Sequence, residues 1–249
     1  MSVLGKEIYR TYDEYGRIQV FDDGVKRYLA FEEDDEQTCV LKESPAQIQH
    51  EYTRAMLLSL LLVDPREVLL LGLGGGSLAT CLLDYHPELN LRAVELRRAV
   101  IKIAKKYFYL PKTDRLSVFE DDAGQYLLDD TVPPAQLILA DMYGADGLDP
   151  QQLTPWFLER CHELLTDDGW LVLNCWNDHR RDKENLRTIG QVFAEVRVST
   201  TNSGNWIIFA GKRKSTLNEK QFIRRAKELA VTLGYSVPRY LTNMSIAAL

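Results

Sequence analysis

An apolar run that breaks into glycines constrains this chain more than any other feature. It reads Arg66-Glu67-Val68-Leu69-Leu70-Leu71-Gly72-Leu73-Gly74-Gly75-Gly76-Ser77. The run has strand character, and a helical pattern opens at Ser77 with Leu78, Ala79, Leu82 and Leu83. Glycines let the backbone turn sharply at a strand end and let a ligand lie against bare peptide. The following helix aims its free N–H groups at that ligand. A second strand pattern, Leu91 to Val94, ends in Glu95. An acid about 20 residues beyond such a turn can accept both hydroxyls of a ribose. Strand, glycine turn, helix, strand and acid together point to a bound nucleoside. Ser77 stands where a dinucleotide turn carries its last glycine or alanine, and no other segment suggests hydride chemistry.

The bulk numbers narrow the function classes. With 249 residues, 45% of them hydrophobic, the chain can form one large α/β domain with a small appendage. Its net charge of -6 argues against a nucleic-acid partner held by bulk electrostatics. Cys39, Cys81, Cys161 and Cys175 show no C-x-x-C spacing and read as reduced, buried thiols. His50, His86, His162 and His179 pair with no cysteine or acid at a zinc-like spacing, so no metal is expected. Met1 to Arg10 has no apolar core, and the runs Met56–Val63 and Val68–Leu71 are too short for a bilayer. The expected location is cytoplasmic, with no membrane partner.

Organisation follows from the patterns. Ile18–Phe21 and Lys26–Phe31 flank Asp22-Asp23-Gly24, a hairpin signal, and Cys39–Leu41 adds a candidate third strand. Residues 1–45 are therefore expected to form a small β appendage. A helix is predicted over about 45–63, with Ile48, Tyr52, Ala55, Met56, Ser59 and Leu60 on one face. Strands and helices then alternate. Leu116–Phe119 is a third strand leading to Glu120-Asp121-Asp122, and Gln136–Ala140 a fourth leading to Asp141. Thr154-Pro155 opens a helix, Trp170–Cys175 is a fifth strand, and another helix spans Asp182–Phe193. Val196–Ser199 and Trp206–Ala210 close the series as an antiparallel pair. Residues 46–213 are expected to form the nucleoside-binding domain and 214–249 a C-terminal helix with a loose end. The fold class is α/β: a doubly wound, mostly parallel, seven-stranded sheet with an N-terminal β hairpin. Ligands on such sheets bind at the carboxyl ends of the strands. Three successive ends here carry acids: Glu95, Asp121-Asp122 and Asp141.

This layout is that of the S-adenosylmethionine-dependent methyltransferases, and from about Tyr15 to Lys212 the chain resembles the spermidine synthases, or polyamine aminopropyltransferases. The likeness rests on the hairpin before the sheet, His50-Glu51, Leu71 to Ser77, Glu95, Asp122 and Asp141. It implies that Gly72, Gly74, Gly75 and Gly76 cradle an adenosyl donor and that Glu95 holds the ribose. It further implies that Asp122 accepts the adenine amino group, with Asp121 and Ala123 beside it, and that Asp141 faces the reactive centre. The donor would be S-adenosylmethionine or its decarboxylated form, and the assembly a homodimer.

The departures fall on the other half of the site. The family turn reads G-G-G-D-G, with an aspartate that grips the donor's aminopropyl ammonium; here Gly75 stands there. The family's D-S-S-D is Asp141-Met142-Tyr143-Gly144, so the second acid, which binds the amine acceptor, is replaced by Gly144. Family tyrosines correspond to Gln49 and Thr201, and a family glutamine to Gly16. Asp141 and Tyr143 are thus the candidate catalytic residues, and Gln49, His50, Glu51 and Trp176 the candidate acceptor contacts. The expected function is a transferase moving an alkyl group from an adenosyl sulfonium to an amine, with weak or absent spermidine synthesis. The alternative is a non-catalytic nucleoside-binding protein, and a filled pocket beside Asp141 would favour it.

Overall fold

The computed structural model describes residues 4–31, 36–144 and 147–248. It opens with an antiparallel sheet of four strands, β1 (Lys6–Asp13), β2 (Gly16–Asp22), β3 (Lys26–Ala30) and β4 (Glu36–Leu41), paired in that order. The expected hairpin is therefore the centre of a larger unit. β1 carries no apolar stripe in sequence, and Ile8 and Tyr12 stay exposed along it, which is why its periodicity gave no signal.

The predicted helix over 45–63 is shorter. The α-helix α1 (Glu51–Met56) passes directly into a 3-10 turn, Leu57–Leu61, and residues 45–50 are turn and coil. The Arg54 guanidinium holds the Ile48 carbonyl at 2.8 and 3.0 Å, so that carbonyl bonds a side chain instead of a helical N–H.

The α/β layer follows as β5 (Glu67–Leu71), α2 (Ser77–Tyr85), β6 (Asn90–Glu95), α3 (Arg98–Tyr107), β7 (Leu116–Glu120), α4 (Ala123–Leu128) and β8 (Ala135–Ala140). A short ribbon, β9 (Tyr143–Gly144) with β10 (Gly147–Leu148), projects from the end of β8. Then come α5 (Pro155–Leu164), β11 (Leu165–Trp176), α6 (Lys183–Val192), β12 (Glu195–Thr200) and β13 (Asn205–Gly211). The chain finishes with α7 (Glu219–Leu233), α8 (Val237–Leu241) and β14 (Ser245–Ile246). The large sheet runs β14-β12-β13-β11-β8-β5-β6-β7. β5, β6, β7, β8 and β11 are parallel neighbours, and β13 is antiparallel to both β11 and β12. This is the expected seven-stranded sheet with one short strand added at its edge.

That addition corrects the expectation of a loose C-terminus. Ser245 and Ile246 pair with Val198 and Arg197, and Val237 and Tyr240 of α8 are buried in the core shared with α2 and α7. β14 covers part of an edge that would otherwise be open. α7 is a long amphipathic helix with a capping box at Asn218 and a left-handed glycine, Gly234, at its end.

Alternate residues of the strands feed two cores. Val68, Leu70, Leu137, Leu139 and Val172 pack under α2, α7, α8 and the 3-10 turn. Leu69, Leu71, Ile138, Leu171 and Leu173 pack under α5 and α6. The N-terminal sheet has Ile18, Val20, Leu29, Phe31 and Val40 in one cluster with Val100, Ile103 and Phe108 from the α3 region. Its apolar face is thus completed by the α/β layer. Among the described residues, no helix is long and apolar enough to cross a membrane.

Truncating Phe108, 1% exposed at the end of α3, empties this shared cluster. Phe108→Ala is expected to cost about 3–5 kcal/mol. Because the cluster spans both layers, calorimetry should still show one unfolding transition. Two separate transitions would contradict this account of the packing.

Candidate active site

The order of the large sheet reverses between β5 and β8, so the connections leave those two strands in opposite directions and open a crevice at their carboxyl ends. Two residues set its floor. Gly72 has φ of 93°, and a Cβ there would lie 2.2 Å from the Asp141 carbonyl oxygen. Only glycine fits such an approach. Leu71 accepts from the Asp141 N–H at 2.8 Å, and the Gly72 N–H donates to Val94 at 2.9 Å. The ends of β5, β6 and β8 are thereby locked together.

The crevice opens into a cavity of about 820 Å³. Gly72, Gly74, Glu95, Asp121, Asp122 and Ala123 line one part of it, and His50, Glu51, Asp141, Tyr143 and Trp176 another. Gly75, Gly76 and Gln49 fall outside the lining. Gly75 faces Thr38 of β4, Gly76 faces Leu110, and the Gln49 amide donates to the Gln47 carbonyl at 2.8 Å.

On the first side the turn and the acid are bonded to each other. Glu95 Oε2 accepts from the N–H groups of Leu73 and Gly74, both at 3.1 Å, and Oε1 accepts from the Arg97 N–H at 2.9 Å. Burial pushes the Glu95 carboxyl up, and these backbone donors pull it back. Asp122 caps α4 through the Gln125 N–H at 3.0 Å, which fixes its carboxylate at the mouth of the β7 end. Asp121 is exposed beside it.

The Gly75 N–H donates to the Thr38 hydroxyl at 2.9 Å, and a Cβ on Gly75 would come within 2.6 Å of the Thr38 methyl. The hydroxyl and methyl of Thr38 therefore occupy the ground that a longer side chain at position 75 would need. That wall is neutral.

On the second side the Asn174 amide donates to Asp141 Oδ1 at 2.7 Å, and the Asn205 amide donates to Asn174 Oδ1 at 3.0 Å. Asn174 sits on β11 and Asn205 opens β13, so the two strands deliver a relay onto one carboxylate. Burial pushes the Asp141 carboxyl up; bonds from Asn174 and Tyr52 and the nearby His50 ring oppose that shift. Burial also drives the Tyr52 phenol well above its usual range, with Asp141 reinforcing it. His50 Nε2 meets Glu36 Oε1 at 2.6 Å. Glu51 accepts from the Asn202 amide and the Ser203 N–H, both at 3.1 Å. The Tyr143 ring stands edge-on to Trp176 at 5.6 Å, and its hydroxyl donates to the Asn174 carbonyl. Trp176 remains 42% exposed at the rim.

Sequence reasoning missed Asn174, Asn205, Tyr52, Thr38, Glu36 and Arg97, all of which line the cavity. Asn174 alone carried a local signal, a polar residue inside the apolar run Trp170–Cys175. Tyr52 was expected on the buried face of its helix, and that face turns out to border the cavity.

No family's sequence model matches the chain. Over 98% of this chain and 95% of the relative, it is 27% identical to the polyamine aminopropyltransferase of Chromobacterium violaceum. Among solved structures it superposes on a probable spermidine synthase from Corynebacterium glutamicum with a TM-score of 0.75, covering 92% of this chain and 88% of that one at 21% identity. The chain is similar to the polyamine aminopropyltransferases, or spermidine synthases, over nearly its whole length. It also resembles human methyltransferase-like protein 13 in complex with SAH, with a TM-score of 0.66 and 25% identity over 75% of this chain and 93% of that one. This spermidine synthase-like chain thus shares its α/β layer with methyltransferases. Among the described residues, no group of three His, Cys, Asp or Glu side chains is placed to hold a metal ion.

Asp141 generates a test by its cost. A carboxyl whose pKa is raised on folding binds its proton more tightly when folded, so its ionised form weakens the fold at neutral pH. Asp141→Asn keeps an acceptor for the Asn174 amide and removes the charge. It is expected to raise stability at neutral pH by roughly 1 kcal/mol. The gain should fade as pH falls through the folded-state pKa of Asp141, where the wild-type group is itself neutral. A denaturation series across pH checks this; a loss of stability at neutral pH would contradict it.

Proposed function

We propose that this chain is a transferase that takes an alkyl group from an adenosyl sulfonium and delivers it to an amine. The observation that carries this reading is one continuous cavity with Glu95, the glycine turn and Asp122 at one part and Asp141 at another. Glu95 would accept the ribose hydroxyls, with its backbone donors opposing the upward push of burial on its carboxyl. Asp122 would accept the adenine amino group. The open space beside Asp141, bordered by Tyr52, Tyr143, Leu148 and Trp176, supports an enzyme over a non-catalytic nucleoside binder.

The sulfonium is a strong leaving group, so the protein contributes mainly alignment and charge placement. The attacking amine must be neutral. Asp141, raised by burial and held by Asn174, is placed to accept or orient its proton. Tyr143 and Trp176 would line the path of the amine's stem, and His50 and Glu51 its outer end. Thr38 presents a neutral wall at Gly75, with no carboxylate there to grip an aminopropyl ammonium. The donor proposed is accordingly ordinary S-adenosylmethionine, and the group transferred a methyl. The proposed assembly is a homodimer, with the exposed edge β1 as the contact; light scattering of the purified protein tests it.

Calorimetry is expected to detect binding of S-adenosylmethionine or methylthioadenosine. Glu95→Ala removes charge-assisted hydrogen bonds worth roughly 1.5–3 kcal/mol, a weakening of about tenfold to a hundredfold. Absence of binding by either nucleoside at high ligand concentration would remove the nucleoside reading altogether.

Little or no spermidine is expected from putrescine and decarboxylated S-adenosylmethionine. The distal ammonium of putrescine would need an anionic partner once desolvated, and Gly144 supplies none. Gly75→Asp introduced alone should not restore the activity, because its side chain meets Thr38; it is expected to cost about 1–3 kcal/mol. Product analysis of the purified protein decides this, and robust spermidine formation by the wild type would overturn it.

A further inference from the structure

Arg97 lies two residues beyond Glu95 and belongs to neither part of the reaction just described. Its side chain is 5% exposed, and its ion-pair partner Asp13, on the far side of the sequence, is 14% exposed. The guanidinium donates to both Asp13 oxygens, at 2.7 and 3.1 Å, and to the Gly16 carbonyl at 3.1 Å. Its plane also covers the Phe31 ring at 4.4 Å. Asp13 ends β1 and Gly16 opens β2, so one planar fork clamps both ends of the turn between them. Glu14 and Tyr15 at the tip of that turn line the cavity. The backbone N–H of the same Arg97 holds Glu95 Oε1.

We propose that Arg97 is a positioning residue that docks the β1–β2 turn against Glu95 and so makes the N-terminal sheet a fixed wall of the nucleoside site. The proposal rests on the nucleoside reading above. Thr38 ties the same sheet to the glycine turn through Gly75, which leaves the wall anchored at two separated points. A lysine could reach Asp13 but could not also hold the Gly16 carbonyl in the same plane.

The test compares wild type with Arg97→Met, Arg97→Lys and Asp13→Asn, using methylthioadenosine as the probe. Two quantities are read: its Kd by calorimetry, and amide hydrogen exchange in β1–β2 against that in β5 and β8. If release of the clasp leaves the turn docked about one time in ten, the apparent Kd rises roughly tenfold. Exchange should then increase in β1–β2 and stay unchanged in β5 and β8, with Arg97→Lys intermediate in both measurements. A Kd within about twofold of wild type in a folded variant would overturn the proposal, since the competent fraction would be nearly unchanged. So would exchange that rises evenly through both sheets. Should Arg97→Met fail to fold, Asp13→Asn carries the same measurements; failure of both to fold would make the pair a stability element and also overturn it. If wild type binds no nucleoside, the proposed function falls, and the exchange contrast alone then decides whether the clasp exists.

Discussion

The contact on which this structure depends is the approach of two peptide groups, Gly72 at the end of β5 and Asp141 at the end of β8. It leaves no room for a Cβ, and it occurs where the strand order reverses. The backbone bonds from Asp141 to Leu71 and from Gly72 to Val94 then set the level at which each strand ends. Registers along β5, β6, β7 and β8 carry that level across the sheet, and each successive end presents its acid at the same rim. A slip of one residue in any of these pairings would turn the acid to the opposite face and bury it among leucines.

The two parts of the cavity are built from different materials. The part around Glu95 is mostly backbone: the glycine turn, three N–H donors on one carboxylate, and a capped helix start at Asp122. The part around Asp141 is side chain on side chain, with Asn205 ordering Asn174, Asn174 ordering Asp141, and Tyr143 and Trp176 packed edge to face. Backbone geometry is set by the fold and changes little with single substitutions. Side-chain relays change with one residue. A scaffold of this kind can keep one backbone-built part while the side chains around the rest of the cavity are altered by a few replacements, which fits the departures at Gly75 and Gly144.

Two buried carboxyls at one rim work against stability, since burial raises both Glu95 and Asp141. Such sites persist where the surrounding fold over-determines them. Here the surroundings are extensive. Two apolar cores flank the sheet, β14 pairs with its far edge, and the N-terminal sheet shares a cluster with α3.

By itself the sequence determined the alternation of strands and helices, the glycine turn, and the acids at successive strand ends. Each of these is local: periodicity, a cap or a turn residue within a few positions. Gly72, Gly74, Glu95 and Asp122, the residues proposed to hold the nucleoside, were legible for the same reason, because they lie at recognisable offsets from strands. The tertiary structure alone decided the rest. Thr38 against Gly75, Arg97 against Asp13, Asn205 behind Asn174 and the pairing of β14 with β12 join residues far apart in the chain. No local pattern encodes such partners, because they are chosen by which faces remain to be buried once the sheet has formed. β1 and the short α1 were illegible for a related reason: one has no apolar stripe, and the other is cut short by a side chain that takes a backbone carbonyl out of the helix.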